Sequence, residues 1–162
     1  MMISASSARS FSRLLIVFHT RRGLSPRSAA WASEMSFTSL LKYVLDAACT
    51  PDGTGVNSIV YGHNMKNDTM FSVLANYTNQ SFWQEHPTVR YERLGDVGTY
   101  MIFAVVHLDV DTTVNPNALY AYQSLQGADE ASYAAYIGYL KQNSLYDTGA
   151  TPVFGDTLLT LS

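Results

Sequence analysis

The sequence is poor in cysteine and in charged residues. Cys49 is its one cysteine, which excludes an intramolecular disulfide framework and a zinc site built from several cysteines. Charged residues make up 14% of the chain and the formal net charge is -3. This mild acidity argues against a protein that binds nucleic acid by neutralising phosphates.

Long apolar runs are also missing from the beginning of the chain. The longest run there, residues 14–18, is only five residues long. A signal-peptide core needs about 7–15 apolar residues and a membrane span about 20. We therefore expect no convincing signal peptide or membrane anchor in this chain.

Apolar and aromatic residues are plentiful in the chain as a whole. They make up 47% and 12% of its 162 residues, which excludes disorder throughout the chain. A chain of this length forms one domain with a sizeable core.

The charge distribution divides the chain near residue 43. Residues 1–43 hold six basic side chains and one acidic one, whereas residues 44–162 hold four basic and twelve acidic ones. The first segment is also rich in serine and arginine. We predict that residues 1–43 are an atypical leader, disordered or translated out of frame, and that residues 44–162 form the folded domain.

Alternating and helical patterns after residue 44 predict an α+β fold that is mostly β. Apolar residues at helical spacing predict a helix after the strand that carries His63 and a longer helix before the last strand. The predicted strands cover 57–63, 88–94, 99–108 and 157–161, and the helices include residues 70–77, 81–86 and 128–140. A long turn-prone connection is expected over residues 109–127.

Of the four histidines, His63 is the strongest candidate for chemistry. It ends a predicted strand and precedes a capped helix, a position where sheet proteins often place reactive groups. His19 and His86 are expected to be solvated, and His107 to be a hydrogen-bonded structural residue in an apolar strand. No glycine-rich phosphate loop, metal-ligand cluster or basic aromatic stripe occurs, so we expect no cofactor, metal, nucleotide or nucleic acid.

The residues around His63 give the sequence a specific resemblance. Tyr61-Gly62-His63-Asn64, followed by Thr69-Met70-Phe71, is similar to the class B sortases, which carry a Tyr-Gly-His strand end before a Thr-Met-Phe helix start. Thr160-Leu161-Ser162 matches the beginning of the family's Thr-Leu-Ser-Thr-Cys sequence. The resemblance covers residues 44–162 and does not extend into residues 1–43.

The resemblance implies an incomplete sortase-type β-barrel and a cysteine transpeptidase. In that family a cysteine thiol attacks a sorting motif of surface proteins, a histidine protonates the leaving amine and an arginine stabilises the oxyanion. An amino group of the cell wall or of a pilin then completes the transfer. The implied location is the extracytoplasmic face of a Gram-positive membrane.

Only His63 carries over from that catalytic set. The nucleophile would follow two residues after Ser162 and the arginine later still, so the chain as given is expected to be an inactive fragment. Cys49 lies away from the family's nucleophile position. Ser162 lies two residues before that position, a distance of about 6.6 Å along a strand. Two alternatives stay open: a non-catalytic peptide-binding module, and an unrelated α+β hydrolase that uses His63.

Overall fold

The described strands form one mixed β-sheet. The computed structural model describes residues 12–19, 35–36, 44–45, 55–62, 71–93, 96–113 and 115–162. The strands are β1 Ser12–His19, β2 Met35–Ser36, β3 Val44–Leu45, β4 Asn57–Tyr61, β5 Thr88–Arg93, β6 Asp96–Asp109 and β7 Leu158–Leu161. The helices are the 3₁₀ helices Ser72–Thr78 and Ala118–Tyr122 and the α-helices α1 Gln80–Glu85 and α2 Glu130–Gln142.

The strands follow the order β2-β5-β6-β1-β7-β4-β3 across the sheet. β4 runs parallel to β7 and β2 parallel to β5, whereas the remaining neighbours are antiparallel. The five longer strands curl into a half-barrel with few helices. This architecture confirms the predicted α+β class with mostly β structure.

β1 occupies the centre of the sheet, between β6 and β7. Its side chains from Leu15 to His19 are all buried, and they alternate between the two faces. A strand covered on both faces reads as a continuous apolar run, which explains residues 14–18. Residues 12–19 form this strand and belong to the segment predicted to be a leader. The boundary after residue 43 stays a prediction.

Each face of the sheet carries its own hydrophobic cluster. The first face, which includes Leu15 and Val17, packs against α2 and the 3₁₀ helix Ala118–Tyr122. The second face, which includes Ile16 and Phe18, packs against residues from the 3₁₀ helix Ser72–Thr78 and from α1. β1 thus contributes side chains to both clusters.

The two α-helices lie within two residues of the predicted bounds: α1 covers Gln80–Glu85 where 81–86 was expected, and α2 covers Glu130–Gln142 where 128–140 was expected. The side chain of Asp129 caps α2 by accepting a hydrogen bond of 2.8 Å from the amide of Ser132. Four predicted side chains, Tyr133, Tyr136, Ile137 and Leu140, form the buried side of α2. Asn79 caps α1 in the same way, and α1 ends before Pro87. No helix in the described ranges is long and apolar enough to cross a membrane.

Candidate active site

The strand that leads to His63 ends beside the end of β7. The amide of Gly62 donates a hydrogen bond of 3.0 Å to the carbonyl oxygen of Ser162, and the amide of Ser162 donates one of 3.0 Å to Val60. These bonds continue the parallel pairing of β4 and β7 past Tyr61. His63 follows Gly62 in the sequence, but His63 itself lies outside the described residues, as does Cys49.

Gly62 is required at this edge because Phe71 packs directly against it. A Cβ atom at position 62 would lie 2.5 Å from a ring carbon of Phe71, far inside van der Waals contact. Phe71 is buried in the cluster on the second face of the sheet. The glycine of the Tyr-Gly-His motif therefore allows the aromatic residue of the following segment to pack under the strand end.

Two tyrosines cover the first face at the same edge. The rings of Tyr61 and Tyr122 stack with their centroids 6.1 Å apart. The hydroxyls of Tyr122 and Ser162 form a hydrogen bond of 3.1 Å. Burial raises the pKa of Tyr122, while the bond to Ser162 and the positive charge of Arg13 act in the opposite direction. Ser162 thus has a fixed partner in Tyr122.

A buried hydrogen-bond network holds Tyr122 at this edge. The side-chain amide of Asn57 donates to the carbonyl of Gln123 at 2.9 Å and to the hydroxyl of Tyr136 at 3.2 Å. The hydroxyl of Thr160 donates to the Asn57 carbonyl oxygen at 3.0 Å, and Tyr136 donates to Ala121 at 2.9 Å. The network ties β4, β7 and α2 to the segment that carries Tyr122. Sequence analysis missed this network because its members lie far apart in the chain.

Sequence analysis also missed an arginine that the fold places at this edge. β1 pairs with β7 so that Ile16 lies opposite Leu161. When this register is continued along β1, Arg13 lies beyond the residue opposite Ser162, at the end of β7. The side chain of Arg13 is exposed, and the pairing of β1 with β7 identifies its position.

Two of the other histidines differ from expectation. His19 was expected to be solvated, but it is buried, because it belongs to the central strand, and its Nδ1 lies 3.5 Å from a carboxylate oxygen of Asp156. His107 was expected to be a structural residue inside the sheet, but its side chain is exposed near the outer end of β6. His86 is half-buried at the end of α1 and its ring lies 4.5 Å from that of Phe82.

Comparison with known sequences reveals similar proteins over about two thirds of the chain. No family model matches the sequence. Sortase B of Listeria monocytogenes serovar 1/2a (strain ATCC BAA-679 / EGD-e) is 31% identical over 106 residues, which cover 65% of this chain and 40% of that protein. The chain therefore spans less than half the length of this curated relative.

Comparison with solved structures extends the similarity to the fold. The structure of sortase B from Listeria monocytogenes matches with a TM-score of 0.65 and 29% identity, covering 74% of this chain and 64% of that one. A Staphylococcus aureus sortase B–substrate complex matches with a TM-score of 0.63 and 17% identity over 90% of this chain and 69% of that one. The resemblance to class B sortases is thus confirmed, and with it the sortase-type half-barrel.

Proposed function

We propose that this class B sortase-like chain provides most of the active site of a cysteine transpeptidase, with the nucleophile two residues after Ser162. The observation that carries the proposal is the pair of hydrogen bonds that Ser162 makes with Gly62 and Val60. This pairing supports a site in which the end of the His63 strand adjoins the end of the strand that leads to the thiol. The sortase B-like sequence over 106 residues supports the same chemistry.

His63 and Arg13 are the residues that we propose to flank the thiol. Neighbouring strands lie about 4.8 Å apart, so residues opposite one another on three adjacent strands share one row and one face. We propose that the β1–β7 and β4–β7 pairings continue past Ser162, which would put Arg13 on one side of the nucleophile and His63 on the other. Arg13 would take the part that the family assigns to an arginine on a later strand.

The proposed reaction proceeds by two acyl transfers. The thiolate sulfur attacks the carbonyl carbon of the threonine in a sorting motif, and the C–N bond breaks as His63 protonates the leaving amine. The amino group of an acceptor then attacks the thioester, forms a new amide bond and releases the thiolate. The guanidinium of Arg13 would donate hydrogen bonds to the oxyanion of each tetrahedral intermediate.

The partners we propose are a sorting-motif peptide of surface proteins and an amino group of the cell wall or of a pilin. The named Staphylococcus aureus structure is a complex of sortase B with a substrate, which supports a peptide as the donor. The location that follows is the extracytoplasmic face of the membrane in a Gram-positive bacterium. The sortase-like match leaves no reason to retain an unrelated hydrolase.

The decisive experiment compares two chains that differ in one atom, a cysteine sulfur in one and a serine oxygen in the other. The present chain is extended by Thr-Cys and a short Gly-Ser tail, and the control is extended by Thr-Ser and the same tail. Incubated with a library of sorting-motif peptides and an amine, only the cysteine chain should yield transpeptidation products. The substitution His63→Ala in the cysteine chain should abolish them.

Three outcomes would contradict this proposal. One is cleavage by the Thr-Ser chain, and another is activity of the cysteine chain that survives His63→Ala. The third is peptide binding by the cysteine chain without any turnover, which would instead support the non-catalytic peptide-binding module.

A further inference from the structure

The apolar run of β1 and the buried part of β1 are offset by one residue. The apolar run covers residues 14–18, whereas the buried positions are 15–19. Leu14 is therefore half-buried, while His19 is 4% exposed. Moving β1 by one residue would place an apolar side chain in every position from 15 to 19 and move His19 out of these positions.

Over positions 15–19, hydrophobic burial alone therefore favours a β1 strand shifted by one residue from the observed pairing. A shift by one residue normally exchanges the core face and the solvent face of a strand, which prevents it. β1 lacks this protection because Leu15 and Val17 pack on one face and Ile16 and Phe18 on the other. Its pairing with β6 even changes register by one residue between Val17 and Phe18.

The observed register brings His19 to a buried carboxylate. Nδ1 of His19 lies 3.5 Å from Oδ2 of Asp156, and Asp156 is 7% exposed. The same oxygen accepts a hydrogen bond of 2.9 Å from the amide of Val153, which fixes its position. The ring of Phe103 lies 6.2 Å from His19 in an edge-to-face arrangement.

The charge of Asp156 also affects the ionisation of Tyr133, a buried tyrosine of α2. Burial and, second, the charge of Asp156 raise the pKa of Tyr133 above its ordinary value. In the shifted register Phe18 would take the place of His19 and leave this carboxylate facing an aromatic ring. A buried charge without its partner is strongly destabilising, so Asp156 selects against that register.

We propose that the His19–Asp156 pair sets the register of β1 against β7 and thereby acts as a positioning pair for Arg13. The functional part of this inference rests on the proposed transpeptidase, whereas the register itself does not. In the shifted register Arg13 would move by one residue, about 3.4 Å along the strand, and its side chain would turn to the opposite face of the sheet. Arg13 would then leave its place at the end of β7.

The register can be measured directly in the full chain by cross-strand NMR contacts. In the original protein the backbone protons of Leu161 should contact those of Ile16. The substitution Asp156→Leu removes the partner of His19 and offers an apolar neighbour to Phe18. We expect this variant to show contacts of Leu161 with Leu15 in place of Ile16.

Two double variants serve as controls. His19→Leu with Asp156→Leu makes both registers apolar, so both sets of contacts should be present. His19→Asn with Asp156→Asn retains a polar pair and should retain the original contacts alone. The proposal would be overturned if the double leucine variant showed the native register alone. It would also be overturned if that variant failed to fold, because the pair would then serve stability.

Activity of the Thr-Cys chain separates this inference from the proposed function. Asp156→Leu should lower transpeptidation at least 100-fold, the size expected for the loss of one oxyanion donor, and the double asparagine variant should restore it. If the Thr-Cys chain is inactive, the proposed function fails while the NMR contacts still decide the register. Full activity in a chain whose register has shifted would overturn the role of the pair in positioning Arg13.

Discussion

The ring of Phe71 occupies the space that a side chain at Gly62 would need, with 2.5 Å between a ring carbon and an ideal Cβ position. Phe71 itself is buried in the cluster that covers the second face of the sheet. The contact joins the end of β4 to the segment on the other side of His63. The glycine therefore lets Phe71 pack directly against the end of β4.

Gly62→Ala should destabilise the protein because the new methyl group collides with the Phe71 ring. We expect a loss of about 1–3 kcal/mol in the free energy of unfolding, the usual cost of overpacking, measured by urea denaturation. Gly138→Ala is a matched control, since its Cβ would meet open space within α2. That variant should gain about 0.5–1 kcal/mol from helix propensity. Equal effects at the two positions would contradict this interpretation.

Asn57→Ala should disrupt the network that holds the 3₁₀ helix Ala118–Tyr122 against β4. The substitution leaves the hydroxyl of Thr160 without its buried acceptor, at a cost of about 1–3 kcal/mol for such a group. Urea denaturation measures the loss, and amide exchange should be faster in the segment that includes Gln123. The exposed Asn76 provides the control, and Asn76→Ala should change stability by less than about 0.5 kcal/mol. A change confined to Asn76 would refute the prediction.

Buried tyrosines should make the fold sensitive to alkaline pH. Burial raises the pKa of Tyr136 and Tyr77, and it raises the pKa of Tyr146 to about 12. The folded state holds the tyrosine protons more tightly than the unfolded state does. The stabilising contribution of these tyrosines is therefore complete below about pH 10, where unfolded tyrosine is still protonated, and it is lost as the pH rises through their folded-state pKa. Denaturation at pH 8 and pH 11 should show lower stability at pH 11. Tyr146→Phe should make that decline smaller, and an unchanged decline would count against this cause.

Arg13→Ala should impair catalysis by the Thr-Cys chain more than it impairs folding. Loss of one oxyanion donor typically lowers kcat by about 100–1000-fold, which steady-state transpeptidation measures. Arg13 is exposed, so the free energy of unfolding should change by less than about 0.5 kcal/mol. Arg90 lies on β5, away from this edge, and Arg90→Ala should leave kcat unchanged. Equal losses from the two substitutions would remove Arg13 from the proposed site.

Local sequence patterns were sufficient for the elements that depend on near neighbours in the chain. The helical spacing from Tyr133 to Leu140 predicted α2, and these residues lie on its buried side. The alternation after Pro87 predicted β5, which covers Thr88–Arg93. Capping, helical periodicity and strand alternation act over a few residues, so they can be read without knowing the fold.

Other features depended on contacts between distant segments. The connection over residues 109–127 read as turns, yet the Asn57 network holds Ala118–Tyr122 there as a 3₁₀ helix that carries Tyr122. Nothing near Asn57 in the sequence identifies Tyr136 or Gln123 as its partners. The predicted role of His63 stays a prediction, because this residue lies outside the described part of the chain.

The sequence by itself determined the class of the fold, the course of α2 and the Tyr-Gly-His resemblance, because each depends on residues close together in the chain. Only the tertiary structure decided that β1 lies between β6 and β7 and that His19 is buried against Asp156. It also decided that Arg13 lies near the end of β7. The physical reason is strand register. The register of β1 is fixed by pairing partners more than eighty residues away. Because β1 is apolar on both faces, the hydrophobic pattern does not specify this register.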